Sequence, residues 1–243
     1  MNVSLARFLL VPFVLAFGSP AHAETIRGSG HVVSEDRAVS GFEAIDLSLP
    51  AHVEIVQDGT EHLLLTVDDN VAPCVETEVR DGTLVVRGRE GMDLQPRTPT
   101  RIVVHVRALA SVALAGTADV RIPMLRAARF DLRIGGSGDV QLGVLQARDF
   151  SARVSGSGHA SVAGDVERLE VAISGTGTVV AERLHARRAS ISISGSGRAT
   201  AWPRESLEAR ISGVGEIRYY GDPVVDKHIA GVGSVTRVGA APG

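Results

Sequence analysis

One short phrase recurs along this chain and leaves it very few folds. Gly-x-Gly stands at Gly136-Ser137-Gly138, Gly156-Ser157-Gly158, Gly175-Thr176-Gly177, Gly195-Ser196-Gly197, Gly213-Val214-Gly215 and Gly231-Val232-Gly233, after a degenerate copy at Gly116-Thr117-Ala118. Counted from Gly116, successive first glycines are 20, 20, 19, 20, 18 and 18 residues apart. A period of this size marks a stacked repeat, in which each supersecondary unit leans on the next.

Aligned on the first glycine, the copies resolve into columns. Two residues before it stand Ile134, Val154, Ile173, Ile193, Ile211 and Ile229. Four before stand Leu132, Ala152, Val171, Ile191 and Ala209, and six before stand Phe130, Phe150, Leu169, Ala189 and Leu207. Residues such as Arg133, Arg153, Ser192 and Arg210 fall between them. After the second glycine the alternation resumes, as in Val140 and Leu142 or Val179 and Ala181. This period of two belongs to a strand with one buried and one wet face. A single rung cannot cover its own apolar face, whereas rungs stacked ~4.8 Å apart share one continuous core.

The fold expected is therefore all-β: a parallel β-helix, or solenoid, of 18–20 residues per repeat with an irregular β cap at its N-terminal end. Glycine at the corners is expected for its access to φ > 0. The loops do not read as a dinucleotide fingerprint, because a strand follows each one where that motif requires a helix.

Four segments are expected, the repeats among them. Residues 1–23 read as a cleavable signal peptide: Arg7 is the basic residue, Phe8 to Phe17 the apolar run, and Ala21-His22-Ala23 the small-x-small site. No cysteine follows that run, which disfavours a lipid anchor, and the apolar stretch is short for a membrane span. Removing Arg7 leaves 24 basic against 28 acidic residues, moving the formal charge from -3 to -4 and giving no support to nucleic-acid binding. Residues 24–110 are expected to form the β cap and first rungs, residues 111–238 the repeats, and 239–243 a frayed tail. Within the cap, Asp58-Gly59 and Asp81-Gly82 read as hairpin turns. Thr25 to Val32 looks like one more rung, and Gly88 to Thr100, with Pro96 and Pro99, like a surface loop. At the far end Tyr219 and Tyr220 are expected to close the stack. The single cysteine, Cys74, reads as a small buried hydrophobe.

The order of short motifs resembles a known bacterial family, the auto-transporter adhesin head or GIN domain. They are Gly41-Phe42-Glu43-Ala44-Ile45, Val53-Glu54-Ile55 before Asp58-Gly59, Asp81-Gly82-Thr83-Leu84, the Ser-Gly-Ser-Gly runs at 155–158 and 194–197, and Tyr219-Tyr220-Gly221-Asp222-Pro223. The resemblance spans roughly Ile26 to Val238. It implies a right-handed β-helix and an exported protein, and it brings no catalytic residues. Two features depart from the family: Asp or Asn commonly follows its second glycine, whereas an intact copy here keeps only Asp139. Many of its members are lipid-anchored.

Stacking turns distant residues into neighbours, so a site is sought in the columns. The residue after the second glycine runs Asp119, Asp139, His159, Thr178, Arg198, Glu216, Ser234. Asp119, Asp139 and His159 are candidate metal ligands: adjacent carboxylates repel unless a cation or a proton intervenes, calcium would take the oxygens, and zinc would favour the imidazole. The plainer reading is a solvated column, with Arg198 and Glu216 as a cross-rung ion pair. Ser155, Ser174, Ser194 and Ser212 form a second column, read as a structural hydroxyl ladder because the same serine recurs on every rung. The other histidines (His52, His62, His105, His185, His228) carry no ligand spacing. No catalytic residue and no organic cofactor are expected.

Three functions fit this reading. The first is a non-enzymatic envelope module, periplasmic, secreted or on the cell surface, that adheres to or binds a protein or glycan. The second is a polysaccharide-processing β-helix enzyme, resting on fold analogy alone. The third is a structural spacer that self-associates through an uncovered end.

Overall fold

The structure, a computed structural model, describes residues 24–242, and the expected signal peptide lies outside the described residues. At its centre are the long strands Asp119–Ile134, Asp139–Val154, His159–Ile173, Thr178–Ile193 and Arg198–Ile211. Each pairs in parallel with the next, giving a parallel β-solenoid of about 6 turns. The strand that leaves one Gly-x-Gly corner thus runs on without a break into the strand that enters the following corner.

Burial shows how such a strand wraps a core. In the first, the buried residues are Val120, Ile122, Leu125, Phe130, Leu132 and Ile134, with Ala127 packed against them. Steps of two become steps of three from 122 to 125 and from 127 to 130. Alternation can place both members of a three-residue step inside only if the strand bends between them. A rung therefore has three short sides, closed by the glycine corner. Phe130 and Phe150 stack across adjacent rungs with ring centroids 5.9 Å apart.

The uneven repeat length is absorbed mostly at one bend. Where the period falls to 19, the register shifts between Leu142 and Leu145, and Gly164 takes φ +128°. Where it falls to 18, the shifts come between Ala181 and His185 and between Ala186 and Arg188. The columns flanking the corners stay in register throughout.

The corner glycines serve a different purpose from the one expected. The described glycines with positive φ are Gly30, Gly41, Gly59, Gly82, Gly91, Gly164 and Gly221, and none belongs to a Gly-x-Gly corner between 136 and 233. What the corners require is space. A Cβ on Gly136 would sit 2.0 Å from the Gly116 carbonyl oxygen, and one on Gly156 would sit 2.0 Å from that of Gly136. A Cβ on Gly158 would sit 2.5 Å from Ile134 Cγ2. The main chain of one corner rests directly on the next, and any side chain would pry them apart.

Above the long strands, Ala44–Ser48 and His52–Gln57 form a further rung, in parallel register with Ser111–Leu114 and with Asp119 to Arg121. Thr83–Gly88 and Arg101–Val106 continue the parallel stack on each side. The direction then reverses. His62–Asp68 is antiparallel to Arg101–Val106, Val32–Arg37 to His62–Asp68, and Val75–Arg80 to Thr83–Gly88. These antiparallel strands close the N-terminal end.

Several details of the cap differ from the sequence expectation. Asp81-Gly82 is a two-residue hairpin, with Arg80 opposite Thr83 and φ values of 48° and 72°. Asp58-Gly59 is not a hairpin, because Arg101–Val106 lies between the two strands it joins. Glu24–Arg27 pairs with Met92–Gln95 inside the region read as a loop, so Thr25 to Val32 belongs to the cap rather than to a rung. Cys74 is buried and free, as expected. At the other end the tyrosines do not close the stack. Tyr219 is in register with Arg237, and one more rung, Val224–Ile229 and Val232–Gly239, lies beyond it.

Candidate functional site

Parallel register builds the outward column that the sequence suggested and lengthens it upward. Arg101 stands beside His52, and His52 beside Asp119. Asp119 adjoins Asp139 through the neighbouring pair Val120 and Val140, and Asp139 is paired with His159. Below, Thr178, Arg198, Glu216 and Ser234 follow in order. The Arg198 Nε donates to Glu216 Oε2 at 2.8 Å, the expected cross-rung pair.

The upper part of this column lines an open groove of about 690 Å³. Its second polar row, two residues along each strand, is Glu54, Arg121, Gln141 and Ser161. Val53, Val120 and Val140 lie between the rows, their side chains turned into the core. His52 Nδ1 lies 3.2 Å from Asp119 Oδ2, with both side chains more than half exposed at 59% and 54%. The groove thus offers carboxylate acceptors, guanidinium and amide donors and two imidazoles on successive rungs ~4.8 Å apart. Among the described residues, no group of three or more His, Cys, Asp or Glu is gathered closely enough to hold a metal ion.

Sequence reasoning missed His52 and Arg101, although the signal was present. Leu47, Leu49, Ala51, Val53 and Ile55 carry the same spacing as Leu114, Gly116, Ala118, Val120 and Ile122. Aligning those stretches puts His52 over Asp119. Two other histidines also have carboxylate partners: His105 Nδ1 with Asp58 Oδ2 at 2.6 Å and His185 Nδ1 with Asp165 Oδ1 at 2.9 Å. The amide and hydroxyl of Thr60, with His105, hold the Asp58 carboxyl well below the usual carboxylate range. These contacts fix a turn and a rung. His62 stacks on His105 at 4.1 Å, and Trp202 meets His185 edge-on at 4.3 Å.

The serine column is exposed, and its rung-to-rung contacts are made by the main chain. The amides of Ser155, Ser174, Ser194 and Ser212 donate to the carbonyls of Ile134, Val154, Ile173 and Ile193 at 2.9 Å each. A hydroxyl contact occurs two residues later, between Ser157 Oγ and Thr176 Oγ1 at 2.8 Å.

On the adjoining face, charge is neutralised locally. Arg168 and Arg148 donate to Asp149 at 2.5 and 2.9 Å and lower its pKa to about 2. Arg153 bridges Asp131 and Glu170, at 3.2 Å to each. In the cap, burial pushes the Asp68 carboxyl up, but the amides of Arg97 and Thr98 more than offset it and leave it below its ordinary value.

Fold and groove together define a capped parallel β-solenoid with an open polar face along its stack. The chain belongs to the family described as "Putative auto-transporter adhesin, head GIN domain", which matches residues 41–223. Among solved structures it is similar to a "putative adhesin" from Bacteroides fragilis, with 24% identity, a TM-score of 0.81, and 88% of this chain and 100% of that one covered. A "Putative lipid binding protein" from Parabacteroides distasonis is 28% identical with a TM-score of 0.74, again over 88% and 100% of the two chains. A "putative adhesin" from Parabacteroides merdae is 24% identical with a TM-score of 0.72, over 89% and 100%. No curated protein matches the chain.

Proposed function

We propose that this protein is an exported, non-enzymatic binding module of the cell envelope, and that the groove over His52, Asp119, Asp139 and His159 is where it takes its partner. The observation that carries this reading is the groove itself: hydrogen-bond donors and acceptors line its open face along five parallel strands, from Arg101 to His159. The partner best matched is a hydroxyl-rich chain such as a glycan, which can lie along the stack and exchange hydrogen bonds with Arg101, Asp119, Arg121, Asp139 and Gln141. Each contact is open to solvent and weak alone, so affinity comes from repetition along the chain. Membership of an adhesin-head family supports surface exposure. Among the described residues no helix is long and apolar enough to cross a membrane. One solved relative carries a lipid-binding name, but the polar rows of this groove suit a polar chain better than an acyl chain.

The test is a glycan array followed by calorimetry on the protein and on the variant Asp119→Ala/Arg121→Ala/Asp139→Ala, with phospholipid vesicles as a parallel probe. Glycan binding lost in the variant supports the proposal. Binding unaffected by the three substitutions, or confined to vesicles, moves the site elsewhere.

A further inference from the structure

The two ends of the solenoid are finished in different ways. At the N-terminal end the outermost strands, Val32–Arg37 and Val75–Arg80, run antiparallel to their neighbours, whereas Val224–Ile229 and Val232–Gly239 continue the parallel stack; among the described residues all four pair on one side only. An open parallel edge presents unpaired amides and carbonyls, a template on which another chain can add. Valines increase the hazard: Val224 is 78% exposed and Val232 75%.

What stands at the inward positions of this last rung breaks the rule of every rung above. The column Leu132, Ala152, Val171, Ile191, Ala209 ends in Lys227. The column Ala181, Ala201, Tyr219 ends in Arg237. Lys227 is the only lysine in the chain. Arg237 also ties the rung down, its Nε donating to the Gly221 carbonyl at 2.7 Å and its guanidinium meeting Asp222 at 2.8 Å.

We infer that Lys227 and Arg237 are stop residues, which leave the strand edge open yet prevent it from accepting a second copy of this chain. Two copies meeting edge to edge about a two-fold axis must pair inward positions with inward positions, because facing residues of an antiparallel pair lie on the same side of the sheet. On Val224–Ile229 the inward residues are Val225, Lys227 and Ile229. Either Lys227 then faces its own copy, like charge against like, or it faces Val225 or Ile229 inside a joint core. Both arrangements bury an ammonium group without a partner. Head-to-tail addition fares no better, since a strand of the opposite end laid along this edge would also bury Lys227 at an inward position.

Lys227→Val restores an apolar residue to the column without touching the Arg237 contacts. Size-exclusion chromatography with light scattering is expected to show wild type as a monomer and the variant growing with concentration to about twice the mass or more. Amide exchange should slow along 224–229 in the associated variant. A folded variant that stays monomeric at every concentration overturns the inference. So does a wild type that is already a dimer with those amides protected. Should Lys227→Val misfold, acetylating the sole lysine of the folded wild type removes the same charge, with acetylated Lys227→Arg as the control. Association of the first alone supports the stop; equal behaviour of the two refutes it.

Discussion

Replacing Gly156 by alanine separates the two physical reasons a corner can have for glycine. Its φ is not positive, so alanine meets no backbone penalty there. The new Cβ would instead lie 2.0 Å from the Gly136 carbonyl oxygen and 2.7 Å from that of Gly135. Reaching even the 3.0 Å that real Cβ contacts respect, from 2.0 Å, requires the rungs to part by 1.0 Å. The ladder bonds from Ser155 N to Ile134 O and from Ser157 N to Gly136 O, now 2.9 and 3.0 Å, would then stretch to lengths at which they no longer count. Two lost hydrogen bonds at about 1 kcal/mol each, with about 1–3 kcal/mol of overpacking, come to about 3–5 kcal/mol. Gly41→Ala is the matched control. Gly41 has φ +78° and open space around its Cβ position, so alanine there carries only the left-handed backbone cost of about 1–2 kcal/mol. Urea unfolding followed by circular dichroism measures both. If Gly156→Ala costs no more than Gly41→Ala, close approach of the rungs is not why the corner needs glycine, and the reasoning fails.

Three further outcomes are expected. Asp149 has its folded pKa lowered from 3.8 to about 2, first by Arg168 and then by Arg148, so its contribution is complete above pH 4 and disappears as pH falls toward 2. The stability gap between wild type and Asp149→Asn should accordingly be widest near neutral pH and close across that acid window; a gap independent of pH there refutes the assignment. Phe150→Ala removes a ring that is 1% exposed and stacked on Phe130, and should cost about 3–5 kcal/mol in the same urea experiment. Calcium or zinc should leave the melting temperature of the protein unchanged, because Asp119 is already engaged by His52 and no third ligand is gathered beside Asp139 and His159. A rise that grows with metal concentration and vanishes in Asp139→Ala would establish the column as a metal site.

The solenoid was legible in the sequence because stacking copies each rung's inward pattern onto the next. Ile134, Val154, Ile173, Ile193 and Ile211 all lie in the core, where the alignment placed them. The bends were harder to see. They appear only as the three-residue steps between Ile122 and Leu125 and between Ala127 and Phe130, and a search for strict alternation reads those as interruptions. The purpose of the corner glycines was hidden for a related reason. Composition shows that a side chain is missing but does not distinguish a torsional need from a spatial one, and here the obstructing atom, Gly116 O for Gly136, belongs to another turn of the chain.

The groove was half legible for the same reason. Asp119, Asp139 and His159 announce themselves by period, whereas His52 and Arg101 enter the column from the cap, where the period has lapsed and neighbours are set by pairing alone. Lys227 is the converse case, since its position is in period and its identity is not. A repeat states its rule many times over, so a residue that breaks the rule at one position invites a local explanation. At the top of the stack the break gives Asp119 an imidazole partner. At the bottom it puts a charge where the next rung would have had to pack.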